Sequence, residues 1–147
     1  MRFWALRFWG SCFGLGLSPW APGTVGTLGG VLLASLLPND LALAAAAVVV
    51  FMVGLLLAAK LPGSQAHGDP GWFVLDEVAA YTLLPLGLGR GWVVLVAAFV
   101  FFRLFDITKP PPIKRIEMIG RGWGVMLDDL LAAAYAYPFV HLVLWLA

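Results

Sequence analysis

The chain has 147 residues, 62% of them hydrophobic and 12% charged, against roughly 45–50% apolar and about 25% charged in an ordinary soluble domain. That composition excludes a typical water-soluble domain, and the length suits one domain over residues 1–147. The formal net charge of +1 offers no bulk attraction for nucleic acid, and the single cysteine, Cys12, excludes an internal disulfide or a thiolate metal site.

Taken in chain order, the first ten residues are basic and aromatic with no small-residue cleavage pattern. They read as an amphipathic helix at a membrane surface, Arg2 and Arg7 among headgroups and Phe3, Trp4, Phe8 and Trp9 in the apolar boundary, rather than as a removable signal. Residues 24–37 form a short apolar helix rich in glycine (Gly26, Gly29, Gly30), suited to close packing, that stops at Pro38-Asn39-Asp40. Residues 41–59 carry no charge and approach the ~20 residues that cross a ~30 Å hydrocarbon core. Residues 78–88 are short and contain Pro85, which predicts a kinked or partial span. Residues 92–105 are apolar up to Arg103, and residues 125–147 are long enough to cross, with Pro138 interrupting them. The expected fold is therefore all-α, a polytopic bundle of about five apolar segments.

With alternating passes and a cytoplasmic N-terminus, Arg2, Arg7, Lys60, Arg103, Lys109, Lys114, Arg115 and Arg121 fall at the cytoplasmic side and Arg90 alone opposite, as the positive-inside rule requires. Asp69, Asp76, Glu77, Asp106, Glu117, Asp128 and Asp129 gather on the same side. Acidic residues do not set topology, so their gathering points to a site in a cytoplasmic mouth. Carboxylates at the ends of apolar helices are costly against lipid and belong in a wet cavity. Five of them (Asp76, Glu77, Asp106, Asp128, Asp129) repel one another unless a cation or protons neutralise them, and an oxygen-only donor set suits Mg2+ or Mn2+.

Each group also has a plain structural reading. Asp76 serves as a helix N-cap with Glu77 complementing the dipole, and Asp128-Asp129 read as acids of a first turn. Arg103 and Asp106 form an i, i+3 pair, and Lys109 is a snorkelling anchor. Neighbours on a helix point about 100° apart, so one carboxylate of each pair suits a metal and the other an outer role. Pro110, Pro111 and Pro112 stop the helix after Lys109 and hold the following chain extended, fixing a cation beside the acids, where Arg and Lys suit phosphate oxygens. Ser18 and Thr24, in the glycine-bearing loop and the helix start beyond it, are candidate phosphate donors, and His67 is a candidate proton shuttle.

The run Gly16-Leu17-Ser18-Pro19, Pro22-Gly23-Thr24 and Gly26, then Asp76-Glu77-Val78, Phe102-Arg103, Phe105-Asp106, Lys109-Pro110-Pro111-Pro112-Ile113 and Gly124-Val125-Met126-Leu127-Asp128-Asp129 resembles the phosphatidylglycerophosphatase A family in order over nearly the whole chain. Ala80 and Ala132-Ala133 stand near where that family places glycines, which still predicts close helix packing. The resemblance implies Mg2+-dependent hydrolysis of phosphatidylglycerophosphate to phosphatidylglycerol and phosphate in the bacterial inner membrane. On that expectation Asp76, Glu77, Asp128 and Asp129 hold one or two Mg2+. Asp106 is a further ligand or the base, and Arg103 and Lys109 neutralise the phosphoryl oxygens. The partners expected are the lipid substrate and membrane lipids; nothing in the pattern identifies a protein partner. The alternative class is a small divalent-cation or proton transporter with intramembrane carboxylates.

Overall fold

A computed structural model describes residues 3–61, 70–120 and 122–147. Arg2, His67, Asp69 and Arg121 lie outside the described residues. Among those described, regular structure is helical throughout: α1 (Phe3–Gly10), a 3-10 turn (Leu15–Leu17), α2 (Pro22–Leu36), α3 (Asp40–Ala58), α4 (Leu75–Leu83), α5 (Trp92–Thr108), α6 (Ile113–Ile116) and α7 (Trp123–Leu146).

Two helices, α3 and α7, are long and apolar enough to cross a membrane. Fewer than a third of the positions in their most apolar stretches, 28% in each, are buried in the protein. A core helix of a soluble protein would bury far more, so these apolar surfaces have lipid as their natural solvent. Leu32 and Leu36 on α2, Val49 and Leu56 on α3 and Val96 and Val100 on α5 are likewise exposed. At 9 residues α4 rises only about 14 Å and cannot cross. Its chain leaves the helix before Pro85, so that proline lies in the following turn and kinks nothing. Pro138 does not interrupt α7 as expected, since the helix runs on to Leu146. A proline removes one N–H, which a long helix packed on its neighbours tolerates.

Glycine sets the packing of α2 on α4. A Cβ at Gly26 would come within 2.6 Å of Val74, and one at Gly30 within 3.0 Å of the Tyr81 Cβ, while Gly29 lies against Leu15. The expected close approach through small residues is therefore present, and α4 is the element against which α2, α3 and α7 all pack. Ala80, Ala132 and Ala133 are buried in the shared core with Tyr81, Phe102 and Val140. The Tyr81 hydroxyl donates to the Leu95 carbonyl at 2.6 Å and ties α4 to α5.

The ends of the bundle differ in chemistry. At one end Asp40 accepts from Arg90 at 3.0 Å and from the Gly87 N–H at 3.2 Å, and Arg90 also donates to the Pro38 carbonyl. The starts of α3 and α5 are thereby joined. At the other end the first turn of α2, the first turn of α4, the last turn of α5 and the second turn of α7 converge, carrying most of the remaining charge. The 3-10 turn and α1 close the near side. The Val74 N–H donates to the Gly10 carbonyl at 3.0 Å, and Gly16 leaves no room for a Cβ against the Trp72 carbonyl.

Candidate active site

Helix α4 begins at Leu75 with Val74 as its cap, so Asp76 is not the N-cap and both acids lie inside the first turn. The Asp76 Oδ1 accepts the Glu77 N–H at 3.0 Å, and the helix dipole favours both carboxylates there. Capping alone does not explain their burial, because Asp76 is only 5% exposed. Asp128 and Asp129 are not first-turn acids either. Helix α7 starts at Trp123, which places them a turn further in, at 5% and 3% exposure. Gly122, at φ 82, turns the chain into that helix where a Cβ would strike the backbone of Ala58 and Ala59.

This convergence brings Asp76, Glu77 and Asp129 together, with one carboxylate oxygen from each within 4.8 Å of the others. Asp106, Glu77 and Asp128 all press their negative charge on Asp129. The Asp129 Oδ2 is buried and has no hydrogen-bond partner among the described residues. Buried like charges held this close are relieved by a counter-charge or by a proton. Three oxygen donors, with no histidine or thiolate beside them among the described residues, could hold a hard metal ion. Asp128 stands to one side of this triplet. Its Oδ1 accepts the Asp129 N–H at 3.0 Å and its Oδ2 accepts from Lys109 at 2.8 Å.

Two cations lie against the carboxylates. Arg103 pairs with Asp106 one turn on, approaches the Glu77 Oε1 at 3.9 Å and contacts the Thr27 Oγ1 at 3.5 Å. Helix α5 stops at Lys109, a residue before proline being disfavoured from continuing a helix, and Lys109 itself adopts the left-handed region at φ 41. Its Nζ lies 2.8 Å from Asp128 and 2.9 Å from Glu117. Burial opposes the Lys109 charge, but the hydrogen bonds and charges of Asp128 and Glu117 outweigh it and push its pKa above the ordinary lysine value. With the folded value raised, this contribution is complete below the ordinary lysine range and is lost only as pH rises through the folded value. The three prolines do not hold the chain extended. Ile113 is fully buried and draws the chain back into α6, which delivers Glu117 to Lys109.

Of the two further phosphate-donor candidates, Ser18 is held within its own turn, its hydroxyl donating to the Trp20 carbonyl at 2.9 Å and accepting its N–H at 3.3 Å. Thr24 lies next to Gly23 in the first turn of α2. Thr27, fully buried, donates to the Gly23 carbonyl at 2.9 Å and meets Arg103. Gly23 is the close-approach position, since a Cβ there would lie 2.4 Å from the Glu77 Oε1 and 3.3 Å from Arg103. Gly23→Ala is expected to cut turnover by on the order of tenfold with little loss of stability. Alanine is the better helix former by about 1 kcal/mol, so the damage falls on the Glu77–Arg103 pair. Steady-state kinetics beside a melting curve checks this; unchanged kinetics would remove Gly23 from the site.

Residues 8–144 match the family described as Phosphatidylglycerophosphatase A. The chain belongs to that family. A Phosphatidylglycerophosphatase A of Haemophilus influenzae is 41% identical over 137 residues, covering 89% of this chain and 83% of its own length. The Phosphatidylglycerophosphatase A of Escherichia coli is 29% identical over 136 residues, covering 89% and 78%. A Bacteroides thetaiotaomicron protein named as a candidate phosphatidylinositol-3-phosphatase is 37% identical over 145 residues, covering 92% and 91%. No solved structure matches the chain. Membership in the phosphatidylglycerophosphatase A family makes the chain a phosphatase, a phosphoric monoester hydrolase, and the converging acids and cations are its candidate active site.

Proposed function

We propose that the chain hydrolyses phosphatidylglycerophosphate to phosphatidylglycerol and inorganic phosphate, with Mg2+, at the cytoplasmic face of a bacterial inner membrane. The observation that carries this reading is the buried triplet Asp76, Glu77 and Asp129 beside Arg103, at the ends of helices whose outer surfaces are apolar. Asp76, Glu77 and Asp129 hold the ion, with Asp128 beside them. Bound Mg2+ supplies positive charge that polarises the phosphoryl group and offsets the charge developing during displacement. Arg103 and Lys109 bind the terminal phosphate oxygens as fork and point charge. Asp106 orients a water for in-line attack and takes its proton. The new P–O bond forms to that water as the bond to the glycerol oxygen breaks, the glycerol oxygen takes a proton from solvent water, and Asp106 returns the one it took to solvent. Ser18 and Thr24 act at the rim, on the lipid head group.

The acyl chains stay in the bilayer. Arg7, Lys60, Lys114 and Arg115 belong with the site end and Arg90 with the other, a bias that supports a cytoplasmic mouth. The five apolar helices α2, α3, α4, α5 and α7 alternate in direction through that layer, α4 entering it without crossing. Helix α1 lies in the headgroup region, burying Leu6 and Gly10 and exposing Trp4, Phe8 and Trp9. A transporter would need carboxylates along a path, whereas Asp40 at the far end is engaged by Arg90.

Purified protein in detergent is expected to release phosphate from phosphatidylglycerophosphate, to stop when EDTA is added and to recover with excess Mg2+. Release that survives EDTA would sink the metal-carboxylate account. Faster turnover of phosphatidic acid or phosphatidylinositol-3-phosphate in the same assay would keep the chemistry and overturn the substrate.

A further inference from the structure

The geometry points to Glu117 as a positioning residue that, with Asp128, aims the Lys109 ammonium at the substrate phosphate. This rests on the phosphatase reading above and adds to it a residue outside the acid pairs. A lysine ammonium has three N–H donors and no acceptor. Asp128 takes one at 2.8 Å and Glu117 a second at 2.9 Å, from α7 and from the end of α6 respectively. Two fixed acceptors on different elements determine the direction of the third donor, where one acceptor would leave the ammonium free to turn about it.

The Glu117 side is itself built to hold still. Its backbone carbonyl packs on the first turn of α7 at Gly124, where a Cβ would lie 2.5 Å from the carbonyl oxygens of both Glu117 and Ile119. The Gly124 N–H donates to the Ile119 carbonyl at 3.0 Å, and Ile113 anchors the other end of α6 in the core. Lys109 sits at φ 41, a conformation an L-residue adopts at a cost and that glycine would adopt freely. A lysine in that position is consistent with a side chain needed where the turn places it. Charge supports the same role. Lys109 carries one positive charge between the carboxylates of Asp128 and Glu117, so both hold it by charge as well as by hydrogen bond.

The test is steady-state kinetics on purified full-length protein with phosphatidylglycerophosphate in mixed micelles. Glu117→Gln is expected to lower kcat by about tenfold with KM little changed, because orientation of a charged hydrogen bond matters most where charge develops. Glu117→Ala should lose more. The same Glu117→Gln change made in a Lys109→Met background should cost less than about twofold, since there is no ammonium left to aim. Wild-type kinetics in Glu117→Gln, a loss confined to KM, or an equal loss in both backgrounds would overturn the assignment. A silent Lys109→Met would also overturn it, since an ammonium without effect on turnover leaves Glu117 nothing to aim. Should another lipid phosphate prove to be the better substrate, the same comparison on that lipid tests Glu117 while the substrate reading alone fails.

Discussion

Replacing Asp129 by asparagine is expected to reduce phosphate release by on the order of a thousandfold while making the metal-free protein more resistant to heat. The two effects have one origin. Asp129 is 3% exposed on α7, within 4.8 Å of carboxylate oxygens of Asp76 and Glu77, and feels the charges of Asp106, Glu77 and Asp128. Asparagine keeps the shape and removes the charge, so it relieves the repulsion that the acidic mouth stores without metal. It also removes a donor from the only described triplet able to hold Mg2+. The wild type should therefore gain melting temperature as Mg2+ is added, through preferential binding to the folded state, and Asp129→Asn should gain little. Thermal melts of both proteins in EDTA and in a Mg2+ series provide a readout independent of turnover. Equal stabilisation of the two by Mg2+, or near-wild-type activity in the variant, would remove Asp129 from the metal site.

What could be read from sequence follows from which features local chemistry determines. Ionisable residues inside apolar helices are costly, so Asp76-Glu77, Arg103 with Asp106, and Asp128-Asp129 stand out without coordinates. Their inequality does not. Asp128 and Asp129 are adjacent and chemically identical, and only the position of Lys109 at the end of another helix takes one and leaves the other beside Asp76 and Glu77. Glu117 lies in a polar stretch that looks like a solvated turn, and its partner is eight positions away across three prolines. The reversal that brings them together is driven by burial of Ile113, a tertiary event. Thr27 lies one helical turn beyond Gly23, a spacing that predicts its bond to the Gly23 carbonyl, whereas its contact with Arg103 depends on how α2 meets α5. Residue type and position in a glycine-bearing segment single out Ser18 and Thr24 but do not say which way a hydroxyl points. The all-helical class was legible because apolar runs and turn residues mark it. The length of α4 was not, since its acids belong to its first turn and its far end stops before Pro85.

Arg103→Met is expected to lose activity by at least a hundredfold and, unlike Asp129→Asn, to destabilise the fold, by about 3 kcal/mol. The guanidinium is mostly buried, at 17% side-chain exposure, and lies against two carboxylates that are also mostly buried, Glu77 at 12% and Asp106 at 13%. Methionine fills much of the volume but leaves both acids without their cation. Removing one partner of a buried pair costs more than the pair itself contributes, because the remaining charge is stranded. Adding Asp106→Asn to Arg103→Met should then recover part of the lost stability and none of the activity, since the phosphate still lacks its fork. Arg103→Lys is not a conservative test of charge. A lysine cannot contact Glu77, Asp106 and Thr27 with a planar group, and it should fall nearer to Arg103→Met in turnover while keeping more of the stability. Melting curves and turnover measured on the four proteins separate the two contributions. If the double variant is no more stable than Arg103→Met, the stranded charge is not the cause, and Arg103 acts on the fold through packing.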